Sequence, residues 1–370
     1  MSTEMGDSVQ SSATSCNVVV KLGTSSLTDS DGVIDAEVIG RVADEIASLR
    51  SAGHRITLVS SGAIAAGLPA LGLDADARPA DAVSLQAISS IGQPALMQTW
   101  QQALSERGLV MGQILLAPHN FGERSQYLHA QSTLAKLHDL GVIPVINEND
   151  AVTDEAIRYG DNDRIAALVA NIVEADTLVL LTDTDGVLTA DPNLDPDASL
   201  IEEIHEFEAL AIGSVGGAGT ARGSGGMASK LTAAKIASRS GVRTVIANAQ
   251  RPDVIADAVS GVDGVGTVVA PRETSMTARK LWIGFAMPTS ARVVVDDGAR
   301  AALAKGGRSL LAVGVVAVEG SFERRDPIEI ADSSGEVFAK GLARASHTDI
   351  TDGSEVNVIV HADDLVVLLG

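Results

Sequence analysis

Short apolar runs rich in β-branched residues alternate with longer segments of helical periodicity in the first part of the chain. The opening run, Asn17–Leu22, precedes a segment whose apolar residues share one helical face, namely Ile39, Val42, Ala43, Ile46 and Leu49. Asp35 suits the N-cap of that helix. Further strands are predicted at residues 54–59, 111–116, 142–147, 177–182 and 243–247, with helices at 81–107, 164–173 and 227–240. This alternation predicts an α/β fold, a three-layer αβα sandwich around a mostly parallel sheet.

The pattern changes after residue 272, where short alternating runs are separated by Gly, Asp and Ser turns. Strands are predicted at residues 292–295, 311–318, 328–330, 337–342 and 356–360, with one helical patch at 299–304. Such spacing predicts a small β-barrel. We therefore divide the chain into a disordered polar tail (residues 1–15), an α/β domain (16–272), a linker (273–287) and a β-domain (288–366).

The amino-acid composition indicates which binding partners the protein is expected to have and in which cellular compartment it is expected to lie. The chain of 370 residues carries a formal charge of −21, which disfavours nonspecific binding of nucleic acid. The single cysteine, Cys16, cannot form an internal disulfide or a cysteine-based zinc site. We find neither a membrane-spanning apolar segment nor the apolar core of a signal peptide, so we expect a soluble, cytoplasmic protein.

Polar residues and glycines follow several of the predicted strands. Lys21 and Gly23 end the first strand, where a lysine can meet a phosphoryl group or simply reach solvent. Ser60, Ser61 and Gly62 end the second, which suits either an anion cradle or a tight turn with a serine N-cap. Because the carboxyl ends of parallel strands share one sheet edge, these groups are candidates for a single site.

Two acidic and amide clusters continue this series. One is Asn147-Glu148-Asn149-Asp150 and the other is Gly160-Asp161-Asn162-Asp163. They could hold a substrate ammonium group and orient a lysine or a metal; alternatively they form a solvated loop with Asp163 as a helix cap. Thr182-Asp183 ends a further strand, and the following Asp-Thr-Asp-Gly pattern lacks the remaining ligands of a calcium loop.

A glycine-rich segment at residues 213–226 holds seven glycines and leads into Met227-Ala228-Ser229-Lys230 at the start of a predicted helix. Glycines allow backbone amides to approach phosphates, and a helix start favours negative charge. The segment matches neither the P-loop nor the dinucleotide-binding pattern, and a flexible linker is the alternative. A lysine in the first helical turn favours the anion-binding interpretation.

These groups suit phosphoryl transfer to a carboxylate. Lys21, Lys230 and Mg²⁺ on ATP could offset the several negative charges that such a reaction brings together. A carboxylate is already ionised at neutral pH, so no catalytic base is required. Asp161, Asn162 and Asp163 would then organise the lysines, the substrate or metal-bound water.

The motifs together resemble the amino-acid kinase family, and within it the members that phosphorylate free L-glutamate at the start of proline biosynthesis. The resemblance covers nearly the whole chain from Val18 and depends on five segments in order: residues 20–25, 60–67, 146–150, 160–163 and 223–230. It implies catalytic roles for Lys21, Lys230 and Asp161, and glutamate contacts from Ser61, Asp150 and Asn162. It implies a nucleotide site formed by Lys21, Thr182, Asp183, Ser224, Gly225, Gly226, Met227, Ala228, Ser229 and Lys230, with Mg²⁺ on ATP and no metal-binding side chains.

The resemblance also implies feedback inhibition by L-proline, a homodimer or homotetramer, coupling to glutamyl phosphate reductase, and a PUA domain at residues 288–366. Kinases for N-acetylglutamate, carbamate or uridylate on the same scaffold are alternatives, but Asp150 favours a substrate with a free ammonium group. An RNA-binding protein is the alternative from another class. It is disfavoured because residues 288–370 hold eight Lys and Arg against thirteen Asp and Glu.

Overall fold

The computed structural model describes residues 15–29, 31–121, 123–152, 162–190, 195, 197–205, 226–272, 276–287, 289, 291–352 and 356–368. Nearly all of the predicted tail, the glycine-rich residues 213–225 and Asp161 lie outside these ranges.

The first domain is built on a mostly parallel sheet. Its strands are β1 (Asn17–Leu22), β2 (Arg55–Ser60), β3 (Met111–Leu116), β4 (Ile143–Glu148), β5 (Thr177–Thr182), β6 (Glu203–Ile204), β7 (Arg243–Asn248) and β8 (Thr267–Val269). Among the described residues their order is β3-β4-β2-β1-β5-β7-β8-β6. Six of the seven strand pairings are parallel, and β8 runs antiparallel to β7. The sheet therefore brings the carboxyl ends of β1, β2, β4, β5 and β7 to one edge.

Alternating side chains of the central strands enter two separate cores. In β5, Leu178 and Leu180 belong to one buried cluster, whereas Val179 and Leu181 belong to the other. This follows from the two-residue period of a strand and shows that both faces of the sheet are covered. The covering helices are α1 (Thr24–Leu27), α2 (Ala36–Ser51), α3 (Ala63–Gly67), α4 (Ala82–Ser105), α5 (Arg124–Asp139), α6 (Asn162–Ile172), α7 (Met227–Arg239) and α8 (Val254–Ser260).

The C-terminal domain is a six-stranded mixed sheet around its own apolar core. Its strands are β9 (Arg292–Val295), β10 (Leu310–Leu311), β11 (Val315–Glu319), β12 (Pro327–Ala331), β13 (Val337–Ala343) and β14 (Val358–Val367). The order is β10-β14-β13-β12-β9-β11. Helices α10 (Asp297–Ala304) and α11 (His347–Thr351) accompany the sheet.

The segment between the domains contains helical structure. It includes α9 (Ala278–Leu281) and one π-helical turn, Trp282–Ala286. Leu281 is fully buried in a core of the first domain. Arg239, at the end of α7, donates hydrogen bonds to the carbonyl oxygens of Val367 and Leu368, so the C-terminal strand is fixed against the first domain.

The predicted α/β class, the three layers and the separate β-domain are confirmed. Asp35 caps α2 as predicted, because its carboxylate accepts from the backbone N–H groups of Glu37 and Val38. Two details were wrong. The predicted strand at residues 311–318 is two strands separated by a 3₁₀ turn, and β14 extends well beyond residue 360. Of the two alternatives for residues 60–62, the serine N-cap is not found, because Gly62, with φ of +105°, takes the N-cap position of α3. No helix in the described part of the chain combines the length and apolar character needed to span a membrane.

Candidate active site

Two lysines from distant parts of the chain meet one buried carboxylate. Lys21, in β1, places its Nζ 2.6 Å from Oδ1 of Asp163, and Lys230, in α7, places its Nζ 3.4 Å from Oδ2. The hydroxyl of Ser229 donates to the same Oδ2 at 3.0 Å. All three charged residues are at least 95% buried. The structure thus joins β1, α6 and α7 through one carboxylate.

The charge state of Asp163 follows from these contacts. Burial acts to raise the pKa of its carboxyl, but the ammonium groups of Lys21 and Lys230 and the hydrogen bond from Ser229 outweigh it. The pKa of Asp163 is therefore held below its usual value, and the residue is ionised at neutral pH. Two ammonium groups converge on this carboxylate in a region with little solvent, an arrangement that suits an incoming anion.

Asn162 precedes Asp163 and links the ends of β2 and β4. Its Nδ2 donates to Ser61 Oγ at 3.1 Å and to Asn147 Oδ1 at 3.0 Å, while its Oδ1 accepts from the backbone N–H of Glu148 at 3.1 Å. Asn147 in turn donates to Gln93 of α4 at 2.7 Å. These bonds fix the side chains at the sheet edge before any ligand binds.

Asp150 lies in a short 3₁₀ turn after β4 and is held from α4. The hydroxyl of Ser89 donates to its Oδ2 at 2.5 Å. Burial raises the pKa of Asp150, and the hydrogen bond from Ser89 only partly opposes this. A half-buried carboxylate with one neutral partner is suited to receive a cationic group.

One pocket connects these residues. Ser61, Asn147, Asp150 and Asn162 line it together with Arg78, from the loop before α4. Arg78 is half-buried and forms no ion pair with any residue that the structure describes. The pocket therefore presents a carboxylate and a guanidinium group, which are complementary to the ammonium and carboxylate of an amino acid.

The groups predicted to bind a nucleotide lie at the ends of β5 and at the start of α7. Thr182 is buried and donates to Asp183 Oδ1 at 3.1 Å, while Asp183 itself is exposed. Gly226 takes the N-cap position of α7 without a side-chain cap, so the backbone N–H groups of Met227 and Ala228 can meet an anion, whereas that of Ser229 donates to Gly226 O at 3.1 Å. Ser224 and Gly225 lie outside the described residues.

Some site residues were predicted from the sequence, and others were missed. Asp163 was expected to organise the lysines or to cap a helix; the structure places it inside α6, so the capping interpretation is wrong. Ser89 and Gln93 were missed, although two polar residues four positions apart on the buried face of α4 are a usable signal. Nothing in the sequence marked Arg78 as a site residue, because a single arginine in a loop is usually exposed to solvent.

No group of three or more His, Cys, Asp or Glu side chains suited to a metal ion occurs within the described ranges. The carboxylate of Asp163 forms ion pairs with Lys21 and Lys230. We therefore treat Mg²⁺ as part of the Mg-ATP substrate and derive no step from a protein-bound metal.

Comparison with known proteins agrees with this geometry. Residues 17–248 match the amino acid kinase family, and residues 291–362 match the PUA domain. The glutamate 5-kinase of Pelobacter propionicus is 41% identical over 365 residues, covering 95% of this chain and 97% of that protein. The glutamate 5-kinase of Methylobacillus flagellatus is 44% identical over 329 residues, covering 89% and 88%.

A solved structure of an isopentenyl phosphate kinase shares the fold. It has 21% identity and a TM-score of 0.50, and the match covers 69% of this chain and all of that one. The family match spans more than half of the chain, and the curated relatives are aligned through both domains. The chain belongs to the amino acid kinase family and is a kinase with a C-terminal PUA domain.

Proposed function

We propose that this kinase transfers the γ-phosphoryl group of ATP to the γ-carboxylate of free L-glutamate, forming L-glutamyl 5-phosphate and ADP as the first step of proline biosynthesis. The observation that carries the proposal is the adjacency, through Asn162 and Asp163, of the Asp150 pocket and the two buried lysines. The names of the curated relatives support it.

In the reaction, a γ-carboxylate oxygen of glutamate forms a bond to the γ-phosphorus. The bond from that phosphorus to the bridging oxygen breaks, and its electron pair leaves with ADP. Lys21 and Lys230 offset the charge on the transferring group, and Asp163 holds both ammonium groups in position. The attacking carboxylate is ionised at neutral pH, so proton abstraction is not needed.

The pocket orients the amino-acid end of the substrate. Asp150 binds the α-ammonium group, Ser61 and Asn162 hold the chain of the substrate near the lysines, and Arg78 pairs with the α-carboxylate. The nucleotide is bound by Thr182 and Asp183 and by the start of α7, with its phosphates toward Lys230. Asp161, Ser224 and Gly225 remain proposed site residues, since they lie outside the described ranges.

The substrate test measures ADP release with Mg-ATP while trapping acyl phosphate with hydroxylamine. L-Glutamate should give hydroxamate, and N-acetyl-L-glutamate should give far less, because its acylated nitrogen carries no positive charge for Asp150. Activity with the acetylated substrate alone would overturn the proposal in favour of a related kinase.

The role of Arg78 can be tested by substrate choice. L-Isoglutamine keeps the γ-carboxylate and the ammonium group but has a neutral amide in place of the α-carboxylate. We expect the wild-type enzyme to prefer glutamate and Arg78→Ala to lose about tenfold or more of that preference in kcat/KM. An unchanged preference would assign the α-carboxylate to other groups while leaving the kinase assignment intact.

Regulation and assembly form the finer part of the proposal. L-Proline has the same ammonium and carboxylate groups as the α-end of glutamate, so it should compete for Asp150 and Arg78; noncompetitive inhibition, or none, would contradict this. We also propose that the protein is cytoplasmic and forms a homodimer or a homotetramer. We further propose that it passes its product to glutamyl phosphate reductase, because an acyl phosphate hydrolyses readily in water. Light scattering would give the oligomer size, and reductase-dependent protection of the acyl phosphate would reveal the coupling.

The domain division is retained as a proposal. Limited proteolysis of the native protein should cut near residues 1–15, and mild denaturation that releases the buried Leu281 should open a second cut near residues 273–287, which leaves fragments that correspond to residues 16–272 and 288–366.

A further inference from the structure

A second pocket lies between the two domains and shares no lining residue with the active-site pocket. Its volume is about 480 Å³, within the range of small-molecule sites. Three parts of the chain enclose it: Glu123 before α5, Arg279 and Trp282 of the connecting segment, and residues of the C-terminal domain. We call it the arginine pocket, after Arg279, Arg324, Arg325 and Arg344, which line it.

The charges in this pocket are unbalanced. Asp364 pairs with Arg279 at 2.7 Å and lies 3.8 Å from Arg344. Arg324 and Arg325 have no carboxylate within ion-pair distance among the residues that the structure describes. Among the lining residues that the structure describes, four arginines face two carboxylates, those of Glu123 and Asp364, which leaves an excess of two positive charges in a chain whose net charge is −21.

The backbone at Arg325 adds a second, independent observation. Its φ is +80°, a left-handed conformation that is strained for a non-glycine residue. The turn is held by the backbone N–H of Arg325, which donates to Ala343 O at 2.7 Å. The fold thus maintains two adjacent arginines, in an unfavourable backbone conformation, at the mouth of a cationic pocket.

We propose that the arginine pocket binds a small phosphorylated anion with at least two negative charges. Guanidinium groups donate paired hydrogen bonds that match phosphate oxygens, and the charge excess equals that of a dianion. The limited volume of the pocket and the acidic character of the C-terminal domain favour a compact ligand over an extended polyanion. Because both domains and the connector contribute to the pocket, the bound anion would hold them together.

The test is a titration of the full-length protein with inorganic pyrophosphate, followed by calorimetry and by the emission of Trp282. We expect two classes of site, one in the arginine pocket and one at the active-site lysines. The double variant Arg325→Ala/Arg344→Ala should weaken the first class about tenfold or more and abolish the Trp282 response. Lys230→Ala should weaken the other class and leave the Trp282 response intact.

Arg308→Ala is the matched control, since it removes an exposed arginine from the same domain outside this pocket. It should bind pyrophosphate as the wild type does. Equal binding by the double variant, or equal weakening by Arg308→Ala, would overturn the proposal and indicate only a general charge effect. Binding of an RNA oligonucleotide with no binding of pyrophosphate would overturn it in favour of a polynucleotide.

Discussion

At the residue scale, the arrangement depends most on Asp163, whose carboxylate separates two ammonium groups. We expect Asp163→Asn to lower kcat about 100-fold, because the neutral amide no longer holds both lysines and their mutual repulsion moves them from the phosphoryl group. Steady-state kinetics with hydroxylamine trapping would measure this. Near-normal turnover would show that the lysines are positioned by other groups.

The same substitution should also change how stability depends on pH. A carboxyl group whose pKa is lowered in the folded state stabilises the protein above its usual pKa, and that contribution is lost as pH falls through the lowered value. Asp163→Asn removes it at neutral pH, so kinetics must be measured well below the melting temperature. Asp44→Asn is a control, because Asp44 forms an exposed pair with Arg107 and should affect kcat little.

Burial of the Asp150 carboxylate should lower the stability of the folded protein at neutral pH, while the same carboxylate is proposed to bind the ammonium group of glutamate. Its pKa is raised, so the folded protein binds more protons than the unfolded chain between the usual and the raised pKa, and stability decreases as pH rises through that window. We expect Asp150→Asn to melt at a slightly higher temperature at pH 7 and to have a greatly raised KM for glutamate.

For the wild type, the KM for glutamate should rise as pH falls through the raised pKa of Asp150, because the protonated carboxyl no longer attracts the ammonium group. Asp150→Asn should lack this part of the pH profile. If its KM equals that of the wild type, the ammonium group binds elsewhere.

At the scale of elements, two glycines set the approach of α3 to α4. A Cβ atom on Gly92 would lie 1.9 Å from Ala63 O, and one on Gly67 would lie 2.2 Å from Ile88 O. The contact is between backbones, so it cannot be relieved by a side-chain rotation. It places Ser89 and Gln93 of α4 next to the end of β4.

Gly92→Ala should therefore push α4 outward, decrease the unfolding free energy by about 1–3 kcal/mol, and raise the KM for glutamate more than it lowers kcat. Urea unfolding and steady-state kinetics would test this. Ser90→Ala, on the exposed side of the same helix, should change neither. A variant that loses stability but keeps its KM would separate this packing from the substrate site.

The elements that sequence reasoning located best are those whose burial is uniform. Residues 17–22 and 177–182 were predicted with correct bounds, because central parallel strands give continuous apolar runs. Residues 111–116 were also predicted with correct bounds, although β3 is an edge strand and is only partly buried. Helix α5 and the short strands β6 and β8 were missed, since α5 is mostly polar and two- or three-residue strands have no measurable period.

The site was predictable as far as it depends on chain topology. The sheet edge at the carboxyl ends of the strands brings together Lys21, Ser61 and Asp150, which lie at or just after the ends of three strands. This proximity follows from the topology alone and requires no knowledge of side-chain packing. The bridging role of Asp163 was not predictable, because choosing between it and Asp161 requires knowing which carboxylate points at both lysines. The contacts that Ser89 and Gln93 of α4 make with the site depend on how closely α4 approaches α3 at Gly67 and Gly92. That distance cannot be deduced from the local sequence of either helix.

At the scale of the molecule, the two domains are connected through α6 and α7, the helices that carry Asp163 and Lys230. Arg164, next to Asp163 in α6, donates to the carbonyl of Phe285 in the connecting segment. Arg239 ends the helix that begins near Lys230, and its guanidinium lies 5.1 Å from the centre of the Phe285 ring. Helices α6 and α7 thus both contact the connecting segment near the interface with the PUA domain.

Arg239 is 98% buried, and it donates to Val367 O at 3.1 Å and to Leu368 O at 2.5 Å. Arg239→Leu should leave these carbonyls without their charged donor and lower the unfolding free energy by about 3 kcal/mol. Because the lost bonds cross between domains, urea unfolding should change from one transition to two, with the PUA domain released first. Arg41→Leu, which removes an exposed arginine bonded to Gln250, should keep a single transition. A single, unshifted transition for Arg239→Leu would mean that the apolar contacts of the connector, and not this arginine, hold the two domains together.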